Sequence, residues 1–184
     1  GAALAGIAFA ALTLRLQGKR RRARPDATYR YWQLGLILSI FGLFFLLTVA
    51  IRPEASEIEG WTIMFGVLLI AGGFIPFIIG MLYKIVPFLS WMHLQNSGQA
   101  KVPAPAMNKI LSEAEMHRQM LAYAAAVSLL LAAIVFPEWL ARPAGLAFAV
   151  ANAWLWWNLT SAIRRYRHHQ AEMEVKLVAK LAAP

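Results

Sequence analysis

Four stretches of this chain run for 17 residues or more without a single charged side chain: Tyr31–Ile51, Trp61–Tyr83, Met120–Phe136 and Pro143–Ile163. Crossing a hydrocarbon layer of about 30 Å takes about 20 apolar residues in a helix, with a lower limit near 17. Each stretch is too long and too uniformly apolar to be one face of a surface helix, whose polar side would interrupt it every few positions. A fifth, shorter run, Gly1–Leu14, precedes the first basic residue. It reads as the end of a span that begins further upstream. The expectation is an all-α, polytopic transmembrane helix bundle of about five spans (1–14, 31–51, 61–83, 120–136 and 143–163) filling residues 1–163. It would form the C-terminal part of a larger bundle, and residues 164–184 would follow as a cytoplasmic amphipathic tail.

Composition agrees with that reading. Hydrophobic residues make up 60% of the 184 and charged residues 15%, against about 25% charged in ordinary soluble domains. The charges are also sorted. The segments before the second span, between the third and fourth, and after the last hold sixteen of the eighteen Lys and Arg residues. Arg52 and Arg142 are the two on the other side, where Glu54, Glu57 and Glu59 gather. Basic loops stay in the cytoplasm, so the C-terminus is expected there, in a bacterial inner membrane. The run Lys19, Arg20, Arg21, Arg22, Arg24 between two spans reads as a topology signal resting on anionic lipid. Nucleic acid, which such a run would point to in a soluble chain, is not expected as a partner. There is no cysteine, so neither disulfides nor thiolate metal sites enter the account.

Small residues carry the packing expectations, because lipid-embedded helices gain little from the hydrophobic effect and more from close backbone approach. Gly66, Gly73 and Gly80 recur every seven residues, as do Gly35 and Gly42, with Ser39 on the same side. Gly145, Ala149 and Ala153 form a ladder of fours. Pro76 lies inside the third span and is expected to kink it. Ser112 to Glu115 reads as a capping box opening the helix that enters the fourth span. Asn152, deep in the last span, is expected to bond across to a neighbouring helix. In the tail, Met173, Leu177 and Leu181 share a face, and Glu172 is placed to pair with Lys176.

No Asp, Glu, Lys, Arg or His falls within the spans, which argues against an ion-coupled transporter. His93 follows the third span and His117 precedes the fourth. Adjacent helix ends could bring these imidazoles together, and imidazole is a common ligand of haem and metals. His93 and His117 are therefore the candidate cofactor-binding residues. No catalytic residue is identified.

The segment Gly80-Met-Leu-Tyr-Lys-Ile-Val-Pro-Phe-Leu-Ser-Trp-Met-His-Leu-Gln95, with the basic loop followed by Tyr-Arg-Tyr-Trp at the entry of a span, resembles large proteobacterial polytopic proteins of the NnrS and haem-copper oxidase type. The resemblance implies a bundle of about a dozen helices in a respiratory or nitrogen-oxide setting, with His93 the position that carries over as a haem ligand. Three functions are weighed. The leading one is a non-catalytic inner-membrane subunit that packs against partner helices in a larger complex. The others are a haem- or metal-binding redox protein and a permease built on the Pro76 kink.

Overall fold

A computed structural model describes residues 1–19, 26–98 and 102–182 of the chain. Of the basic run expected to meet anionic lipid, Arg20, Arg21, Arg22 and Arg24 lie outside the described residues, and Lys19 lies within them. Seven α-helices follow one another, with no strand among the described residues: α1 (Ala2–Gly18), α2 (Ala27–Ile51), α3 (Trp61–Gly66), α4 (Ile75–Ser97), α5 (Met107–Ile110), α6 (Glu113–Val135) and α7 (Pro137–Ala182). A 3-10 turn at Pro53–Glu57 leads into α3, and a π-helical segment, Val67–Phe74, joins α3 to α4 without a break.

Three of these helices are long and apolar enough to cross a membrane: Ala27–Ile51, the continuous Trp61–Ser97 and Glu113–Val135. The first run forms a 17-residue apolar helix, α1, which falls short of that length. The last run lies inside the 46-residue α7. There Asn152, Asn158 and the polar-edged Trp154, Trp156 and Trp157 dilute the apolar character of the stretch. Past residue 163, α7 continues without interruption into the tail, to Ala182.

Local chemistry sets the helix ends. Asp26 caps α2, its carboxylate accepting from the Tyr29 amide at 2.8 Å. Ser112 caps α6 in the expected capping box: its hydroxyl accepts from the Glu115 amide while Glu115 accepts from the Ser112 amide at 3.0 Å. Gly60 adopts a left-handed conformation (φ 80°) ahead of α3, a backbone state that only glycine enters without strain.

The glycines at sevens bring α2 against the long Trp61–Ser97 helix. A methyl group on Gly35 would meet the Phe77 ring at 3.0 Å and the Gly73 carbonyl at 3.1 Å, and one on Gly42 would meet Leu69 at 2.7 Å. Gly73 faces Ser39, and Gly80 sits against Tyr31 and Trp32. Gly80 also offers its carbonyl to the Thr28 hydroxyl at 3.0 Å. Two expected positions behave otherwise. Gly66 and Gly145 have nothing within 4 Å of an added methyl group. Gly145, Ala149 and Ala153 all face outward on α7, so that ladder is not a seam within this chain.

Pro76 acts through the helix ladder. Proline has no amide hydrogen to give to a carbonyl one turn earlier. Over Val67–Phe74 the ladder widens to i→i+5, with the Ile75 amide bonding to the Ile70 carbonyl. The next carbonyl, Ala71, would then look to position 76, which is proline.

The tail packs with its apolar face on the rest of the chain. Met173 is buried beside Val102, with Leu177 partly buried against the same cluster. Glu172 lies 3.2 Å from His168 and 3.5 Å from His169; no pairing with Lys176 appears among the described residues.

Candidate functional site

The side chains that the fold brings together most tightly are polar and come from four helices. Tyr31 on α2 donates its hydroxyl to the Gln119 amide oxygen on α6. Tyr83 on α4 donates to the same oxygen at 3.1 Å. The Gln119 amide nitrogen donates to the Ala151 carbonyl on α7 at 3.0 Å, and Asn158 on α7 donates to the Tyr83 hydroxyl at 2.9 Å. Gln119 and Tyr31 are completely buried. A buried amide or phenol without a partner is costly, and here each supplies the other's need. Gln119 uses its oxygen twice and its nitrogen once. The Tyr83 hydroxyl accepts one bond and donates another.

Beside this cluster lies Tyr123, also completely buried. Its hydroxyl donates to the Ala71 carbonyl at 2.6 Å, the carbonyl that Pro76 leaves without an amide. The rings pack edge to face or tilted: Tyr31 on Tyr83 at 5.9 Å, Tyr31 on Tyr123 at 6.2 Å, and Tyr123 on Phe148 at 5.6 Å between centroids. These separations fall in the range where aromatic pairs add to plain burial.

A charged clasp closes the same end of the bundle. It sits in the first turns of α6, ahead of the uncharged run that starts at Met120. Arg165 on α7 grips Glu115 with two parallel hydrogen bonds of 2.7 and 3.0 Å, and reaches the Ile110 carbonyl at 3.3 Å. Hydrogen bonds from Arg165 are the main reason the Glu115 carboxyl is held down to about 2; partial burial works against them, and bonds from Ser112 assist. Glu113 accepts from the Ala27 amide at 2.9 Å, which ties the start of α6 to the start of α2.

The two histidines singled out from the sequence have separate partners. His93 meets the Tyr166 hydroxyl at 2.6 Å. His117 lies 2.8–2.9 Å from the Arg30 guanidinium. An imidazole facing a permanent cation is a poor neighbour for a second one, so His117 is better suited to accept from Arg30 than to ligate a metal ion. Among the described residues no group of three or more His, Asp or Glu side chains could hold a metal ion. Asn152 does not reach across the bundle: it donates to the Phe148 carbonyl of its own helix at 2.7 Å. The bridging amide is Asn158, one and two-thirds turns further on.

Neither the Gln119 hub nor the burial of the tyrosines is apparent from the sequence alone. Tyr31 and Tyr83 stand at the ends of uncharged runs, a place that suits a headgroup anchor, yet 0% and 2% of their surfaces are exposed. Gln119 stands directly before the run Met120–Phe136, next to the charged Arg118. The available signal was a glutamine directly abutting such a run, where an amide at that depth needs a partner.

No protein-family model matches this chain, and neither a curated protein nor a solved structure does.

Proposed function

We propose that this chain is a non-catalytic module of a bacterial inner membrane, a helical subunit or the C-terminal part of one, that packs against partner helices in a larger and respiratory complex. In this reading α1 and α7 join the three apolar helices to make a five-span bundle. The C-terminus is cytoplasmic, on the side that collects sixteen of the eighteen basic residues.

The observation that carries the proposal is a contrast between two sets of small residues. Gly35, Gly42, Gly73 and Gly80 are filled by neighbouring side chains within the chain. Gly145, Ala149 and Ala153 are exposed, flanked by Leu146 and Val150, and leave a shallow slot along α7. Small residues at spacing four are the usual means by which one membrane helix admits another. The buried polar core supports a holding role in the same way, since its amides and hydroxyls are engaged with one another across four helices.

Ala149→Leu tests the reading. A leucine there fills the slot without touching the interior. In native gels of mildly solubilised membranes, the assembly containing the chain is expected to shrink while its thermal midpoint in detergent stays unchanged. An assembly of unaltered size would remove the proposal. The redox alternative would place haem at His93 or His117, and the resemblance of Gly80–Gln95 to the NnrS type is its support. A Soret band in the purified protein that vanishes with His93→Ala would favour it.

A further inference from the structure

Beyond its uncharged stretch, α7 carries a second apolar stripe. Met173 and Leu177 face the Val102 side of the chain and are buried or partly buried there. Val175 and Val178, on the other side of the helix, are 70% and 66% exposed, and Leu181 beside them is 56% exposed. Ala171 is exposed on the same line. Lipid does not reach this stripe. α7 is continuous from Pro137 to Ala182, so at 1.5 Å per residue Val175 stands about 18 Å past Ile163, and Leu181 about 27 Å. The headgroup layer takes up only about 5–8 Å of that distance, and the usual tilt of a membrane helix changes the figures little.

Ala171, Val175 and Val178 follow one another at spacings of four and three, the a/d repeat by which helices pack side by side in a coiled coil. With Val175 at an a position, Arg167 falls at a g position and Glu172 at an e position. In a parallel pair each g residue meets the e residue that stands further along the other strand. Arg167 therefore meets Glu172 of a second copy, and two-fold symmetry makes the same pair twice. Arg167 is exposed and makes no hydrogen bond or ion pair among the described residues. Glu172 lies 3.2 Å from His168 and 3.5 Å from His169 of its own helix, and its carboxylate has acceptor capacity left. Two copies inserted in one membrane with the same orientation hold their α7 helices parallel. The stripe is thus complementary to itself in the arrangement that shared insertion imposes.

We infer that the end of α7, from Ala171 onward, pairs with the same segment of a second copy of this chain as a short parallel coiled coil outside the membrane. This inference rests on the membrane-embedded part of the reading above and concerns a surface other than the Gly145, Ala149 and Ala153 slot. The helix is already formed and held on its Val102 side, so pairing orders little that is not ordered beforehand. Both strands are tethered to one membrane, which raises their effective concentration and makes a short seam sufficient. On the membrane side Arg164 lies over the Trp157 ring at 5.9 Å. There it would face its own copy, so the two helices part. A solvated ion pair adds little affinity; here it sets which chains pair and in which direction.

Oxidative cross-linking of the full chain in native membranes tests it, with introduced thiols in a chain that has no cysteine of its own. Val175→Cys and Val178→Cys are each expected to give a disulfide-linked species of twice the chain's mass. Lys176→Cys, turned away from the seam, is expected to give several-fold less. Arg167→Glu and Glu172→Arg each set like charges against one another and are expected to cut the Val175→Cys product several-fold. The two together restore opposite charges and are expected to recover it. Equal cross-linking at the three positions, a product of any other mass, no product at all, or charge variants without effect overturns the inference. If Ala149→Leu shrinks the assembly while the Val175→Cys product is missing, the tail pairing alone fails. If the product forms while the assembly keeps its size under Ala149→Leu, the slot reading alone fails.

Discussion

The hydroxyl of Tyr123 donates to the carbonyl of Ala71 at 2.6 Å, and Ala71 is the residue whose carbonyl Pro76 leaves without an amide partner. A proline inside a long apolar helix is thus repaired by a side chain 52 positions along the chain, on a different helix. A buried backbone carbonyl freed by a proline needs another partner, and the Tyr123 hydroxyl supplies it here.

Tyr123→Phe removes the donor and keeps the ring. It is expected to destabilise the chain by about 1–2 kcal/mol, within the cost of leaving a buried carbonyl unsatisfied, as read from unfolding in mixed micelles. Pro76→Ala restores an amide at position 76. In the double variant Pro76→Ala with Tyr123→Phe, the loss is expected to be smaller than that of Tyr123→Phe alone. Strict additivity of the two changes would show that the hydroxyl is not compensating for the proline.

Gln119→Leu strips the hub of the polar core. Two phenols then lose their acceptor and the Ala151 carbonyl loses a donor. The expected cost is about 2–3 kcal/mol, larger than that of an average hydrogen bond between membrane helices, near 0.6 kcal/mol, because three contacts fail together. The double change Tyr31→Phe, Gln119→Leu removes one orphaned hydroxyl together with its partner and leaves the Tyr83–Asn158 bond in place. It is expected to recover part of that stability, which chemical denaturation of the two variants and the wild type measures.

The Arg165–Glu115 clasp supplies a pH dependence with a defined sign. The Glu115 carboxyl lies below its ordinary value near 4.5, at about 2. A depressed carboxylate contributes fully above its unfolded value, and that contribution disappears as pH falls through the folded one. The thermal midpoint of the wild type is therefore expected to exceed that of Glu115→Gln from pH 7 down to about 4.5 and to converge on it toward pH 2. With both partners about a third exposed, solvent screening keeps the difference modest. A gap that persists unchanged to pH 2 would remove the clasp as its cause.

Glycine positions separate into two groups by the same geometry. Gly42→Ala drives a methyl group to within 2.7 Å of Leu69 and is expected to lower the thermal midpoint in detergent. Gly66→Ala meets nothing within 4 Å and should be neutral or slightly stabilising, alanine being the better helix former.

The parts of this fold that depend on neighbours along the chain were legible in the sequence. An uncharged run is visible in one dimension, and so is the Ser112–Glu115 box, whose partners stand three residues apart. The glycine contacts between α2 and the Trp61–Ser97 helix could be read from a spacing of seven. The direction of the α7 ladder could not, because small residues look the same whether a neighbour fills them or none does. The polar core was hidden for a different reason. Tyr31 and Tyr83 meet at Gln119 across 88 and 36 positions, and a tyrosine near the end of an apolar run reads equally well as a headgroup anchor. Asn152 stands near the centre of the last run and Asn158 nearer its end, and only the facing of α7 shows that Asn158 points inward.

The absence of cysteine from the chain makes the most direct test a simple one. Single cysteines at Glu57 and at His168 can be labelled with a membrane-impermeant maleimide in intact spheroplasts and in inverted vesicles. The account predicts that Glu57→Cys reacts in spheroplasts alone and His168→Cys in inverted vesicles alone, with the chain resisting extraction by alkaline carbonate. Labelling of both positions from the same side, or release of the chain into the carbonate wash, would contradict it.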